Sequence, residues 1–254
     1  VEAIAVAAND EYALTPVLTQ AREKGISVIT LDADVEAGSR SIYISPVDAR
    51  ELGKELVREV DRICGHSGQW GILSAGSSSA NQNEWIYMMK QELQNLEYCG
   101  LRLVDIAYGE GEYEKAAEKA ELMLETYPDL KVMCCLSTEG IKAAADVVKA
   151  RGQASEVKVI GLGLPDQMEE YVGSDPEDVC PVLYIWSPMD LGRVAGYVCL
   201  ELSEGSIEDR ADQELLLGGR IYPVDYGQDG GLEVIAGEPI RVDAENIGYW
   251  KDQI

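Results

Sequence analysis

The sequence predicts an α/β fold made of two Rossmann-like lobes with parallel sheets, and three observations support this prediction. Short apolar runs typical of buried strands alternate with amphipathic runs typical of helices. The alternation pauses at residues 65–69 and resumes at Trp70 without a long linker, which indicates two successive strand–helix series. The chain has 254 residues, of which 46% are hydrophobic, and this is enough for two modest cores.

The first series begins with an apolar run, Val1 to Ala8, that predicts a strand. Pro16 at a first helical position and Gly25 as a stop signal predict a helix from Thr15 to Lys24. Strands are predicted at 26–31 and 41–45. Pro46 then opens a helix whose apolar positions have a period of 3.6 residues.

The second series alternates without interruption, so a parallel sheet with right-handed crossovers is expected. The pattern weakens after Gly205, where an acidic stretch precedes short β-like segments at 215–224, 232–235 and 239–242. The predicted strands of this series are 70–75, 101–107, 130–136, 157–162 and 180–186, and the predicted helices are 80–96, 112–126, 138–151, 165–172 and 188–204.

Charge and composition argue against several classes of function. The net charge is −25, with 46 acidic against 21 basic residues, so neither a nucleic-acid partner nor an anionic membrane surface is expected. The six cysteines show no CxxC spacing and there is one histidine, so no metal site is expected. Gly161-Leu162-Gly163 lacks a complete phosphate-loop pattern, and no catalytic triad is indicated. These patterns thus give little support to a triad enzyme or to a phosphate-binding loop.

The polar stretch from Ser77 to Asn83 is the main candidate for a binding site. It follows the predicted strand 70–75 and precedes a helix, which is where ligands bind in an open α/β sheet. Asn81 and Gln82 offer hydrogen-bond donors and acceptors without a fixed charge, and this suits a sugar better than a phosphate. The alternative is an ordinary helix start with capping serines.

Other candidates also follow predicted strands. Asp32 could accept hydrogen bonds from two ligand hydroxyls, whereas Asp34 could equally belong to a solvated loop or turn. Asn9 and Asp10 lie in the polar loop after the first strand. Thr138 could contact a ligand through its hydroxyl, or Ser137 or Thr138 could only cap a helix.

Trp186 ends the last strand of the second series. An indole ring in that position can lie against the C–H face of a sugar ring, which buries a large apolar area at low entropic cost. The alternative is a tryptophan that packs in a core or a hinge. Both interpretations are open from the sequence alone.

Four motifs resemble the type I periplasmic sugar-binding proteins of ABC transporters, in the branch of rhamnose-binding and LsrB-like autoinducer-binding proteins. They are ANDEYALTPVLTQAREKGISVITLDADV, SSSANQNEW, GLGLPDQMEEYV and LYIWSPMDLGRVAGYV. The resemblance implies the class I periplasmic-binding-protein fold, with two lobes that close on a ligand by a hinge motion.

The resemblance also implies roles for single residues. Asp32 matches an aspartate that binds ligand hydroxyls, Asn81 and Gln82 match the Asn-Gln pair of rhamnose-type members, and Trp186 matches an aromatic residue near the ligand. Leu136 and Thr138 stand where autoinducer-binding members have a Pro and an Ala whose backbones contact the ligand. These departures favour a sugar over the autoinducer.

The family pattern further implies an opening strand–helix–strand–helix of roughly 60 residues before Val1, at about 30 residues per unit, so the first lobe is expected to be incomplete. We expect a first lobe at 1–66 plus 188–241 and a second lobe at 67–187 plus 242–254. We expect a periplasmic or extracellular protein, with or without a lipid anchor, and no direct membrane insertion of this chain.

The sequence thus predicts a solute-binding protein of a carbohydrate ABC importer that binds a rhamnose-like monosaccharide in a cleft between the lobes, with a membrane permease as partner. We expect a binding protein that is not an enzyme and needs no cofactor. Three alternatives stay open at this point. One is the effector-binding core of a LacI-like repressor, against which the acidic surface argues. The second is an autoinducer receptor of the LsrB type, and the third is a sugar-active α/β enzyme.

Overall fold

The computed structural model describes residues 1–208 and 210–254. The chain forms two compact units. Unit 1 comprises Val1–Ala49, Ser78–Glu84 and Trp186–Glu238, and unit 2 comprises Arg50–Ser77, Trp85–Ile185 and Pro239–Ile254. Each unit is an α/β structure with a mostly parallel sheet, which confirms the predicted fold class.

The helices and strands follow one another in nearly regular alternation. In chain order they are β1 (Ala3–Val6), α1 (Thr15–Glu23), β2 (Ser27–Leu31), β3 (Ile42–Ser45), α2 (Ala49–Cys64), β4 (Gly68–Ser74), α3 (Ala80–Glu92), β5 (Leu101–Tyr108), α4 (Tyr113–Thr126), β6 (Leu130–Cys135), α5 (Thr138–Ala150), β7 (Lys158–Leu162), α6 (Pro165–Met168), β8 (Leu183–Ile185), α7 (Pro188–Ser203), β9 (Gln213–Leu217), β10 (Arg220–Tyr226), β11 (Leu232–Ile235), β12 (Ile240–Val242) and α8 (Ile247–Trp250). Two short 3-10 helices lie at Ala37–Ser39 and Leu96–Tyr98.

Unit 1 contains a six-stranded sheet in the order β1-β2-β3-β11-β10-β9. The first four strands of this order run parallel, and β10 and β9 continue the sheet in antiparallel fashion. Helix α7 packs on the sheet through Leu191, Val194 and Val198, which join buried residues of β2, β3 and β11 in one apolar cluster. Because β1 and β2 are parallel neighbours, their carboxyl ends lie side by side at one edge of this sheet.

Unit 2 contains a second six-stranded sheet in the order β12-β8-β7-β6-β4-β5, parallel except for β12. One large apolar cluster of this unit joins buried residues of the sheet and of helices α4 and α5. Helix α2 belongs here from Arg50 onwards, because Glu55 accepts a hydrogen bond from Tyr184 at 3.4 Å and Glu59 one from Arg241 at 3.0 Å. Residues 50–66 thus pack in unit 2 and residues 78–84 in unit 1, whereas the predicted limits place 50–66 in the first lobe and 78–84 in the second. The lobe limits stay a prediction.

The helix ends follow local chemistry that the sequence shows. Pro16, Pro165 and Pro188 each lie in the first turn of a helix, where a missing N–H costs nothing. The hydroxyls of Ser137 and Ser187 cap α5 and α7 by accepting backbone N–H groups at 3.1 Å.

The helix predicted at 80–96 ends at Glu92, and the strand predicted at 180–186 is limited to Leu183–Ile185. Two further differences have a visible cause. The segment 215–224 is not one strand but most of a hairpin, β9–β10, because Gly218 and Gly219 both have positive φ and turn the chain back. The helix predicted at 165–172 ends at Met168, because Val172 instead forms a bridge with Cys180.

Candidate functional site

Asp32 is the first residue after β2, and its backbone lies in the left-handed region with a φ of 62°. Its N–H donates to the carbonyl of Ile44 at 3.2 Å, and its own carbonyl accepts a hydrogen bond from the Tyr43 hydroxyl at 2.7 Å. Both partners belong to the neighbouring strand β3. These bonds hold Asp32 in a conformation that non-glycine residues rarely adopt.

The carboxylate of Asp32 has an acceptor that the protein leaves unfilled. Its Oδ1 is buried and has no hydrogen-bond partner among the residues that the structure describes. Burial raises the pKa of this carboxyl, and a hydrogen bond from the Asn81 side chain lowers it in part. A buried acceptor without a donor is costly, so this atom is well suited to receive a hydroxyl from a ligand.

Asn81 is buried in the first turn of α3, within the part of that helix that belongs to unit 1. Its Oδ1 accepts the backbone N–H of Gln82 at 2.8 Å, so its amide nitrogen is the group that donates to Asp32. Gln82 follows, half-buried. The polar stretch predicted from the sequence therefore meets the end of β2.

The loop after β1 reaches the same place. Asp10 accepts hydrogen bonds from the N–H groups of Tyr12 and Ala13 at 2.9 Å each. These bonds, together with one from the Ser78 hydroxyl, lower the pKa of its carboxyl. Asn9 beside it is exposed. The structure thus brings the Asn9–Asp10 loop, Asp32 and the start of α3 together within unit 1.

Asp34 makes a different set of contacts from Asp32. Its carboxylate accepts hydrogen bonds from Nε and Nη2 of Arg40 at 2.7 and 2.6 Å. It also accepts hydrogen bonds from the backbone N–H of Val35 at 2.8 Å and from the hydroxyl of Thr30. Arg40 is itself buried and also contacts Asp229. Since both oxygens of Asp34 are engaged by the protein, these contacts favour a structural role over a contact with a ligand.

Trp186 begins the segment of unit 1 that follows β8. It is half-buried and packs against the apolar cluster formed by α7 and the sheet. This packing agrees with the core interpretation, and contact between Trp186 and a sugar stays a prediction.

Leu136 and Thr138 lie in unit 2, at the carboxyl end of β6. Leu136 is buried, and its N–H donates to the carbonyl of Leu73 at 2.9 Å. Ser137 is the residue that caps α5, so the half-buried Thr138 hydroxyl is not needed for that purpose. The prediction that these two residues contact the same ligand as Asp32 stays a prediction.

Sequence reasoning missed four residues that shape the site in unit 1. Tyr43 positions the backbone of Asp32, and Arg40 neutralises Asp34. Glu84 and Glu233 are half-buried carboxylates whose pKa burial raises to about 7. Only the position of Glu84, one helical turn after Asn81, was a signal in the sequence.

Two features of the described residues, 1–208 and 210–254, bear on other classes of site. No group of three or more His, Cys, Asp or Glu residues among them is arranged to hold a metal ion. None of the helices in that part of the chain is both long and apolar enough to cross a membrane.

The chain is similar in sequence to a known protein family and to a curated protein. Residues 1–207 match the family model described as the periplasmic binding protein domain. A curated relative, the D-ribose/D-allose-binding protein of Pseudomonas aeruginosa, is 27% identical over 173 residues, which cover 63% of this chain and 51% of the relative. The chain thus spans about half the length of that relative.

Several solved structures are similar over almost the whole chain, including the following two. One is an ABC transporter solute-binding protein from Clostridium phytofermentas with bound L-rhamnose, which is 37% identical, has a TM-score of 0.94 and is matched over 99% of this chain and 80% of its own. The other is a sugar ABC transporter protein from Actinomyces odontolyticus, which is 31% identical, has a TM-score of 0.75 and is matched over 98% and 78%. With a family model that matches four-fifths of its residues, the chain belongs to the periplasmic binding protein family.

Proposed function

We propose that this chain is the ligand-binding part of a solute-binding protein of a carbohydrate ABC importer, and that it binds a neutral monosaccharide without making or breaking a covalent bond. It would act outside the cytoplasm and deliver the sugar to a membrane permease. The observation that carries the proposal is the buried, unfilled Oδ1 of Asp32 beside the side-chain amide of Asn81.

The chemistry of this group selects for a hydroxylated, uncharged ligand. A sugar hydroxyl can donate to Asp32 and accept from an amide at the same time. An anionic ligand would be repelled by Asp32 and by the net charge of −25. The bound sugars of similar proteins, L-rhamnose in one and D-ribose or D-allose in the name of another, belong to this chemical class.

The test is isothermal titration of the 254-residue chain with L-rhamnose, D-ribose and D-allose, followed by a panel of other aldopentoses, aldohexoses and 6-deoxyhexoses. We expect one sugar to bind with a dissociation constant near micromolar, which corresponds to about −8 kcal/mol. A uronic acid of matching stereochemistry serves as the charged control and should bind far more weakly. If no neutral sugar binds, or if the uronic acid binds equally well, the proposal is wrong.

A further inference from the structure

Unit 1 contains a cluster of carboxylates around one guanidinium group. Arg40 donates to both oxygens of Asp34 and, at 2.7 Å, to Asp229, while its Nη1 donates to the carbonyl of Leu232 at 2.8 Å. Its side chain is only 1% exposed. The charge of this buried cation is therefore already shared between two carboxylates.

Glu233 and Glu84 complete the cluster. Glu233 lies on β11, in register with Tyr43 on β3. Its carboxylate lies so close to Gly227 that a Cβ built there would be 3.3 Å from Oε2. Glu84 lies in the segment 78–84. Burial raises the pKa of its carboxyl, and the negative charges of four neighbouring carboxylates raise it further: Glu233, Asp229, Asp34 and Asp48.

The charges of this cluster do not balance when every group is ionised. Among the described groups, the four carboxylates of Asp34, Asp229, Glu233 and Glu84 then face the guanidinium of Arg40, and Tyr43 adds only a neutral hydroxyl. Like charges in a partly buried site strongly disfavour each other, because the interior screens them far less than water does. Burial first, and the neighbouring carboxylates second, raise the pKa of Glu84 to about 7. Burial raises the pKa of Glu233 to about 7 as well, although Ser45 and Arg40 lower it in part.

We propose that ligand binding at the site described above depends on protonation of the Glu84–Glu233 pair. With a proton on this pair, the two side chains do not repel each other, and the segment 78–84 stays packed within unit 1. This inference rests on the proposed sugar-binding function, because the segment carries Asn81 and Gln82. When both glutamates are ionised, their repulsion moves the segment away from β11. The hydrogen bond from Asn81 to Asp32 then weakens, and the affinity for the ligand falls.

The sign of the pH dependence follows from the direction of these shifts. Both glutamates have a higher pKa in the folded protein than the usual value of 4.5. Their contribution is therefore complete below that usual value and is lost as the pH rises through about 7. The carboxyl of Asp32 also has a raised pKa, but its ionisation strengthens hydrogen bonds from hydroxyls, so it acts in the opposite direction.

The first experiment measures the affinity for L-rhamnose by titration calorimetry at about pH 5.5 and about pH 8.5. We expect about tenfold weaker binding at the higher pH, the factor that corresponds to one unit of pKa change on binding. In Glu84→Gln and Glu233→Gln, which keep the shape and remove the charge, this loss should largely disappear. Glu214→Gln, at an exposed position on β9, is the matched control and should keep the full pH dependence.

The outcomes separate this inference from the proposed function. If L-rhamnose binds equally at both pH values, or if Glu84→Gln keeps the pH dependence, proton linkage is wrong and sugar binding stands. If L-rhamnose does not bind at either pH, the titration is repeated with the sugar that the panel identifies, and a second experiment tests the proton linkage without a ligand.

The second experiment needs no ligand. Amide hydrogen exchange of the segment 78–84 is followed at the same two pH values and corrected for the intrinsic exchange rates. We expect about tenfold lower protection at the higher pH in the wild type and in Glu214→Gln, but equal protection in Glu84→Gln. Unchanged protection in the wild type would overturn the inference whether or not a sugar binds.

Discussion

At the scale of single residues, Asp32 and Asp34 show how two similar carboxylates receive different roles from their surroundings. They are two positions apart after the same strand. Asp34 has a guanidinium partner, one backbone donor and one hydroxyl donor, whereas Asp32 has one oxygen without a partner and one amide donor. The difference arises because Arg40 lies close to Asp34 in the folded unit, six positions later in the chain.

Replacement of Asp32 by Asn tests its role in binding. The shape stays while the charge is lost, so hydrogen bonds from the ligand weaken to neutral strength and the affinity should fall about tenfold. Thermal stability should not fall, because a buried charge is removed. Asp225→Asn, at an exposed position on β10, is the control, and an equal loss of affinity there would refute a specific role for Asp32.

Replacement of Arg40 by Met tests the buried ion pair. Two carboxylates lose their partner inside unit 1, so the free energy of unfolding should fall by about 3–5 kcal/mol. Arg193→Met removes an exposed pair with Asp190 and should cost less than about 1 kcal/mol. Urea denaturation of both variants measures the two costs, and similar values would show that the buried pair contributes no more than a surface pair.

At the scale of elements, most boundaries follow from signals within a few residues. Proline at helix starts and serine caps define α1, α5 and α7, and a Gly-Gly turn defines the hairpin β9–β10. The exceptions are elements that end because of a distant partner. Helix α6 stops short because the following residues join a bridge to Cys180.

Gly161 on β7 offers a test of strand packing. Its φ is 134°, and a Cβ there would lie 1.8 Å from the carbonyl oxygen of Cys135 on the neighbouring strand. Gly161→Ala should therefore cost several kcal/mol, on the order of 4 or more, since the backbone itself must move. The midpoint of urea unfolding measures this cost.

Gly25→Ala is the matched variant for that test. Gly25 also has a positive φ, of 80°, but an added Cβ would meet no atom within 4 Å. Only the conformational cost of about 1 kcal/mol is expected there. An equal loss of unfolding free energy in the two variants would mean that β6 and β7 can move apart at Gly161 without a measurable cost.

At the scale of the whole molecule, charge is the dominant feature. With a net charge of −25, the folded chain repels itself, and this repulsion is screened over about 10 Å in 0.1 M salt. The melting temperature at neutral pH should therefore rise when sodium chloride is increased from about 0.01 to about 0.2 M. Differential scanning calorimetry measures it, with sucrose added at equal osmolarity as the uncharged control. A melting temperature that does not respond to salt would show that the acidic groups are balanced locally.

The sequence by itself determined the class of fold and the order of its elements, because hydrophobic periodicity, caps and turns act between neighbours in the chain. It also placed Asp32, Asn81 and Gln82 after strands, where a ligand site is expected. The contact between the start of α3 and the end of β2, by contrast, joins residues about 50 positions apart in sequence, and no local pattern encodes it.

Only the tertiary structure decided which strands are neighbours and what each carboxylate contacts. Strand β11 pairs with β3 although nearly the whole of unit 2 lies between them in the chain. The raised pKa of Glu84 and Glu233 likewise depends on burial and on carboxylates from distant segments. The physical reason is the same in each case: burial and electrostatic interaction depend on distance in space, which the sequence specifies only through the complete fold.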